Sequence, residues 1–151
     1  MEQFRKGKRL IALCDKKIQE VQSRLVRLAA ERLSLLEQIR QCDAEIEKLT
    51  QVLNSHNFEG VSLTRADIFT QRRHNAVLLH QRLLTDMERT MHLEDIVEIE
   101  REIVLNHKQL ALLKRKEMKF VRWTTQAKQH WLARLDATSE DEIQDGLPWS
   151  G

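Results

Sequence analysis

Residues 11–53 read IALCDKKIQEVQSRLVRLAAERLSLLEQIRQCDAEIEKLTQVL, and the spacing of their apolar side chains decides the fold. These side chains alternate at steps of three and four, and Arg32 is the one exception. Such a stripe repeats every seven residues and stays on one side only when helices supercoil, which is the condition for a coiled coil. The predicted seam of this helix consists of Ile11, Cys14, Ile18, Val21, Leu25, Leu28, Arg32, Leu35, Ile39, Cys42, Ile46, Leu49 and Leu53.

The pattern stops between Ser55 and Thr64, where polar residues and Gly60 favour a turn. Thr64 and Asp67 then have the spacing of a capping box, flanked by Leu63 and Ile68 as a hydrophobic staple. We predict a first coiled-coil helix over residues 1–56, a hinge over 57–63, a second coiled-coil helix over 64–137 and an acidic flexible tail over 138–151. The less regular seam predicted for the second helix consists of Ile68, Phe69, Ala76, Leu79, Leu83, Met87, Ile96, Ile99, Ile103, Leu110, Leu113 and Phe120.

A hinge this short makes neighbouring helices antiparallel. The predicted fold is therefore all-α, a two-helix antiparallel coiled-coil hairpin with unequal arms. Pairing counted outward from the hinge exhausts the first helix near residue 118. This count leaves Phe120, Trp123, Trp131 and Leu135 on a C-terminal overhang or against a frayed N-terminus. Asn106 and Glu117 interrupt the seam, which either fixes the register of the helices or is a plain irregularity.

Composition supports an extended helical protein rather than a compact globule. The 151 residues include four Gly, one Pro and no Tyr, and 32% are charged. The sequence has no run of 18 apolar residues, which predicts a cytoplasmic protein without direct membrane insertion. Cys14 and Cys42 lie too far apart on a straight helix to pair within one chain, so both are predicted to be buried seam thiols or, in the alternative, to bridge two chains.

Charge is distributed unevenly although the net charge is only +2. Cations gather at the open end of the predicted hairpin: Arg5, Lys6, Lys8, Arg9, Lys16, Lys17, Lys108, Lys114, Arg115, Lys116, Lys119, Arg122 and Lys128. The middle of the second helix is acidic, through Asp86, Glu88, Glu94, Asp95, Glu98, Glu100 and Glu102. Such a distribution indicates an oriented partner, and the alternative is an ordinary solvated helix surface.

Residue patterns for catalysis are missing from the sequence. The six histidines lack the i, i+4 spacing and carboxylate support of a helical metal site. There is no phosphate-binding glycine loop, nucleophile elbow or cysteine pair. We therefore predict no catalytic residues, no metal site and no cofactor, and we predict that the protein is not an enzyme.

A long part of the chain carries a resemblance to a known family. It runs from VSLTRADIF at residues 61–69 through the basic helix to KFVRW at residues 119–123, which is followed by Gln126, Lys128 and an acidic tail. Over this part the chain resembles the SctO family of type III secretion stalk proteins, which includes YscO and the SpaM/InvI branch and is related to flagellar FliJ. The N-terminal arm matches this family in pattern only.

The resemblance implies a central stalk that couples the hexameric secretion ATPase to the export gate and has export chaperones as further partners. It also implies a cytoplasmic location, peripheral to the inner membrane. The residues expected to contact the ATPase are Arg5, Lys6, Lys8, Arg9, Lys116, Lys119, Phe120, Arg122, Trp123 and Trp131. Phe69, Ala76 and His80 are expected to contact the export gate, and packing within the seam is the alternative for them. Arg73 departs from the hydrophobic residue that the family places between them.

Two other functions stay open. A generic coiled-coil scaffold or dimerisation protein would use the same seam to pair with another chain, whereas a stalk is expected to be a monomer. A nucleic-acid-binding hairpin would use the cations together with Trp123 and Trp131 as stacking groups. The acidic middle of the second helix argues against that function, and no known nucleic-acid-binding motif accompanies the charge.

Overall fold

The computed structural model describes residues 1–55 and 64–146, which form two helices and no strand. Helix α1 runs over Glu2–Ser55 and helix α2 over Arg65–Asp145, with 54 and 81 residues. The two helices pack against each other, so the predicted all-α hairpin with unequal arms is confirmed. The predicted hinge lies outside the described residues. No helix in the described ranges has a segment long and apolar enough to cross a bilayer.

The chain divides into two compact units, each containing part of both helices. The terminal unit comprises Met1–Leu25 and Leu105–Gly151, and the central unit comprises Val26–Val104.

In the terminal unit, the core is formed by Ile18 and Val21 of α1 with Leu113 of α2. Farther toward the N-terminus of α1, the buried Gly7 lies against Thr124. Residue numbers of the contacting positions thus fall along α1 while they rise along α2, so the two helices are antiparallel.

Pairing in the terminal unit extends farther along α2 than the sequence indicated. The Nζ atom of Lys128 lies 5.9 Å from the centroid of the Phe4 ring. Trp131 is half-buried and lines a groove with Met1 and Phe4. The expectation that α1 ends opposite residue 118 was therefore wrong, because the count assumed that pairing starts symmetrically about the hinge.

In the central unit, the seam of α1 is buried at the predicted positions Leu28, Ile39, Cys42 and Leu49. Arg32, the exception in the seam, lies at its edge, where its Nε donates to Glu100 Oε1 at 3.2 Å. A second cross-helix ion pair joins Arg89 Nε to Asp43 Oδ1 at 2.6 Å. Both pairs are partly exposed, so each contributes about 0–1 kcal/mol and chiefly reports the antiparallel register.

The seam predicted for the first part of α2 was wrong. Phe69, Leu79, Leu83 and Met87 are all exposed, as is Ile68. The least exposed positions of this segment are Gln71, Asn75, Leu78, Thr85, Arg89 and His92. They lie on the same side of α2 as the buried Ile96, so helix geometry turns Thr85, Arg89 and His92 toward α1 although they are polar.

Both described ends of α2 have local causes. At its start the predicted capping box is confirmed: Thr64 N–H donates to Asp67 Oδ2 at 3.3 Å, and Asp67 N–H donates to Thr64 Oγ1 at 3.2 Å. Leu63 of the predicted staple lies outside the described residues. At its end the helix continues to Asp145, beyond the predicted limit of residue 137, because no Gly or Pro interrupts it before Gly146. Gly146 N–H donates to Glu142 O at 3.0 Å and closes the last turn.

Candidate functional site

An exposed apolar face runs along α2 in the central unit. It is formed by Phe69, Ala76, Leu83, Leu84, Met87 and Met91, and we call it the outer apolar face. Phe69 is 53% exposed and Met87 is 56% exposed. At 3.6 residues per turn, this face lies about half a turn from the buried Leu78. It therefore points away from α1.

The three residues predicted to contact the export gate lie together on this side of α2. Phe69, Ala76 and His80 follow one another at steps of seven and four, and all three are exposed. Packing within the seam, the alternative for them, is therefore contradicted. Arg65 lies beside this group, with its guanidinium carbon 5.9 Å from the centroid of the Phe69 ring.

The residues predicted to contact the ATPase lie in the terminal unit and divide into two groups. The exposed cations are Arg5, Lys6, Lys8, Arg9, Lys116, Lys119 and Arg122. Of the aromatic residues, Trp123 is exposed, whereas Phe120 and Trp131 are half-buried at positions that continue the seam of α2. Trp123 is thus the most exposed of the three aromatic residues, although only 37% of it is exposed.

Two local arrangements shape the cationic surface of the terminal unit. Lys8 Nζ lies 4.7 Å from the centroid of the Phe4 ring, which holds one cation against the aromatic face. Farther along, Lys17, Lys116 and Lys119 line a groove together with Val21 and Leu113. This groove combines positive charge with apolar surface, which suits an acidic partner that also buries side chains.

Polar groups interrupt the seam of the terminal unit in two places, as the sequence indicated. Asn106 is buried, and its Oδ1 accepts from Arg24 Nη1 at 3.3 Å. The hydrogen bond between the carboxyl groups of Glu117 and Asp15 raises the pKa of Glu117, and burial and the charge of Asp15 raise it further. Lys114 acts in the opposite direction.

Sequence reasoning missed one cluster of metal-ligating groups. Cys42 of α1 and Glu88 and His92 of α2 place their ligand atoms within 4.8 Å of one another. The i, i+4 spacing of Glu88 and His92 is visible in the sequence, so the statement that no histidine has such carboxylate support was wrong. The contribution of Cys42 depends on the register between the helices, which periodicity alone does not give. Both cysteines are free and buried, as predicted.

These features define an all-α helical-hairpin protein whose candidate sites are surfaces on paired helices. The sequence model of the family described as Salmonella surface presentation of antigen gene type M protein matches residues 5–147. The chain therefore belongs to this family, the SctO/YscO/SpaM family that its sequence resembles, and is a type III secretion system component. The family is not a known enzyme family. No curated protein matches the chain, and no solved structure matches it.

Proposed function

We propose that the protein is the central stalk of a type III secretion system and couples the hexameric secretion ATPase to the export gate. The observation that carries this proposal is the antiparallel pairing in the terminal unit, which brings cations from both ends of the chain together. Up to residue 135, cations outnumber carboxylates in this unit. The family match supports the same setting because it makes the chain a secretion-system component.

The terminal unit is the proposed ATPase-binding part. Exposed cations on both helices favour association with an acidic surface, since complementary charge speeds encounter and fixes orientation. Trp123 is the aromatic side chain available for burial in that contact. Phe120 and Trp131 have a different role in this proposal, because their half-buried positions stabilise the pairing of the two chain ends.

The outer apolar face is the proposed contact with the export gate. Covering it removes apolar area from water, which is worth roughly 25 cal/mol per Å² before the costs of association. Phe69 and Ala76 form its N-terminal part, and His80 lies beside them on the same side of α2. Arg73 is exposed in the same segment, so it adds a charge to the contact instead of the hydrophobic group expected from the family.

The remaining parts of the proposal concern location and further partners. We place the stalk in the cytoplasm, at the inner-membrane side of the secretion apparatus, with export chaperones as further partners. The stalk itself hydrolyses nothing and acts by contact with the ATPase.

Binding to the secretion ATPase tests the proposal. We expect the purified chain to bind the ATPase hexamer and to raise its rate of ATP hydrolysis. Arg5→Glu with Arg9→Glu should weaken binding at least about tenfold, and the effect should shrink as salt screens the charges. The matched control is Arg27→Glu with Lys48→Glu, which makes the same charge change at exposed positions of the central unit. If the wild-type chain neither binds nor stimulates the hexamer, the stalk proposal is wrong.

A coiled-coil scaffold is the second candidate function, and the outer apolar face is the observation that favours it. Exposed apolar side chains on one side of a helix can pair two chains as well as bind an export gate. A scaffold would form a stable dimer through this face, whereas a stalk would be a monomer until it meets its partners. The mass of the protein in solution separates the two functions.

A further inference from the structure

We propose that Cys42, Glu88 and His92 form a binding site for a zinc ion that links the two helices of the central unit. The three side chains supply a sulfur, an oxygen and a nitrogen ligand. This mixed set suits a borderline-soft ion such as Zn²⁺ and does not suit Mg²⁺ or Ca²⁺, which prefer oxygen ligands. The inference is independent of the proposed stalk function.

The distances are close to those that a zinc ion requires. Bonds of about 2.0–2.3 Å in tetrahedral geometry place neighbouring ligand atoms about 3.3–3.8 Å apart. His92 Nε2 already lies 3.6 Å from Glu88 Oε1. All three ligand atoms lie within 4.8 Å of one another, so Cys42 Sγ has to approach by at most about 1–1.5 Å. A small side-chain rotation provides such a movement.

The burial of the three side chains leaves an access route for the ion. Cys42 is only 6% exposed, the side chain of His92 is 18% exposed, and that of Glu88 is 63% exposed. The cluster thus opens to solvent on the side of Glu88, where a water molecule can complete the tetrahedron. The same groove is lined by the polar side chains of Gln38, Gln41, Glu45 and Thr85.

The charges around the cluster favour a divalent cation. Glu88 and Asp43 place negative charge beside the Cys42 thiol, while Arg89 places a positive charge there. Arg89 itself is paired with Asp43 at 2.6 Å. A bound Zn²⁺ displaces the thiol proton to solvent, and the thiolate and the Glu88 carboxylate then neutralise the two charges of the ion.

The location of the cluster gives the ion a structural consequence. Around Cys42 the side of α2 that faces α1 carries Thr85, Arg89 and His92, so apolar packing between the helices is thin there. A ligand from α1 and two from α2 would make the ion a cross-link at this weak point. An ion that binds the folded chain and not the unfolded chain raises the apparent stability of the protein by mass action.

Cobalt and zinc titration of the full-length chain tests the site, with a phosphine reductant keeping the thiols reduced. Co²⁺ is the spectroscopic probe, because a thiolate ligand gives a sulfur-to-cobalt charge-transfer band and tetrahedral coordination gives intense visible bands. We expect one Co²⁺ per chain, displacement by Zn²⁺, and a rise in Tm of about 5 °C or more at saturating Zn²⁺. Mg²⁺ at the same concentration should leave the Tm unchanged.

Cysteine variants provide a matched comparison. Cys42→Ser should abolish the charge-transfer band, whereas Cys14→Ser should retain it, since Cys14 is buried to the same extent but lies in the terminal unit. Glu88→Gln changes an exposed side chain and should leave the helix content unchanged while weakening Co²⁺ binding at least about tenfold. This variant keeps the test decisive if Cys42→Ser does not fold.

Three results would overturn the proposal. The first is a wild-type chain that shows no charge-transfer band at one equivalent of Co²⁺. The second is equal loss of the band in Cys42→Ser and Cys14→Ser. The third is Co²⁺ affinity that is unchanged in Glu88→Gln and in His92→Gln, which would assign the metal to other groups on the surface.

Discussion

A single glycine sets the distance between the helices in the terminal unit. A Cβ atom added to Gly7 would lie 2.9 Å from Thr124 Cβ and 3.1 Å from its Cγ2. Glycine in a helix interior costs about 1 kcal/mol relative to alanine, so close approach is the physical reason for glycine here. Thr124 is buried in return, and its hydroxyl has no hydrogen-bond partner among the described residues.

We therefore expect Gly7→Ala to destabilise the protein although alanine is the better helix former. The added methyl group forces a shift of α1 or α2, which costs about 1–3 kcal/mol by analogy with other overpacked cores. Urea denaturation measures the change in the free energy of unfolding. In the Thr124→Ala background, where Oγ1 and Cγ2 are absent, the cost should be smaller. A Gly7→Ala protein as stable as the wild type would contradict the close approach.

Glu117 predicts how stability depends on pH. Its pKa is raised in the folded state, chiefly by the hydrogen bond with Asp15, so folding favours the protonated carboxyl. The stabilising contribution of a group with a raised pKa is complete below its unfolded pKa, about 4.3 for glutamate, and is lost as the pH rises through the folded value. Ionised Glu117 then places a negative charge beside the carboxylate of Asp15 on the facing helix.

Glu117→Gln should accordingly raise the Tm near pH 7 and change it little near pH 4. Glutamine keeps a donor toward Asp15 but cannot ionise. Circular dichroism melts between pH 4 and 7.5 measure the effect as the difference between variant and wild type, which cancels the other titrating groups. Glu20→Gln is the control, because it removes one exposed carboxylate from the same unit. A difference in Tm that is constant with pH would contradict the raised pKa of Glu117.

At the scale of the helix, the sequence predicted what depends on local or repeated pattern. The α1 seam was predictable because apolar side chains recur over many heptads, and the capping box because Thr64 and Asp67 interact within one turn. The second seam was correct at Ile96, Ile99 and Leu113, which are buried or half-buried, and wrong from Ile68 to Met87. Periodicity shows which side of a helix is apolar, not which side meets the partner helix.

The same limit explains what the sequence did not predict about the candidate sites. The outer apolar face was read as seam because both faces have helical spacing. The zinc-ligand cluster needs Cys42 opposite Glu88, which is a matter of register. Helix α2 continues without a break from Ile96 toward its N-terminus. Helix geometry therefore decides which of the preceding residues face α1, and these residues face α1 even though they are polar.

The outer apolar face predicts a separation between stability and binding. Phe69→Ser with Met87→Ser removes two exposed side chains, so the free energy of unfolding should change by no more than about 0.5 kcal/mol per substitution. Affinity for the cytoplasmic domain of the export gate should fall at least about tenfold, because the buried apolar contact is lost. Calorimetric titration measures the affinity, and thermal melting measures the stability.

Two control variants test whether the effect of Phe69→Ser with Met87→Ser is specific to binding. Val26→Ser alters a residue of α1 that is 70% exposed, and it should affect neither quantity. Leu78→Ala truncates a buried side chain of α2 and should cost about 2 kcal/mol or more of stability. If Phe69→Ser with Met87→Ser destabilised the protein as much as Leu78→Ala, the outer face would be part of the packed core.

For the molecule as a whole, charge is the property that distinguishes the two units. The chain has 25 Lys and Arg against 23 Asp and Glu, so its net charge gives no hint of a partner. Carboxylates outnumber cations in the central unit, whereas cations prevail in the terminal unit up to residue 135. An uneven distribution on a nearly neutral chain favours oriented encounter over non-specific attraction.

The expected oligomeric state follows from how the apolar side chains of each unit are buried. The buried stripe of α1 meets α2 of the same chain in both units, so a second chain would have to pair through exposed side chains, and the outer apolar face is the candidate surface. We expect light scattering after gel filtration to give the monomer mass, 17.9 kDa, over a wide range of concentration. A dimer that dissociates in Met87→Glu would support the scaffold function, because the added charge lies on the outer face. A dimer that survives this substitution would place the interface elsewhere, either at other exposed apolar residues or in helices exchanged between chains. Exchange would contradict the self-contained hairpin that the stalk proposal requires.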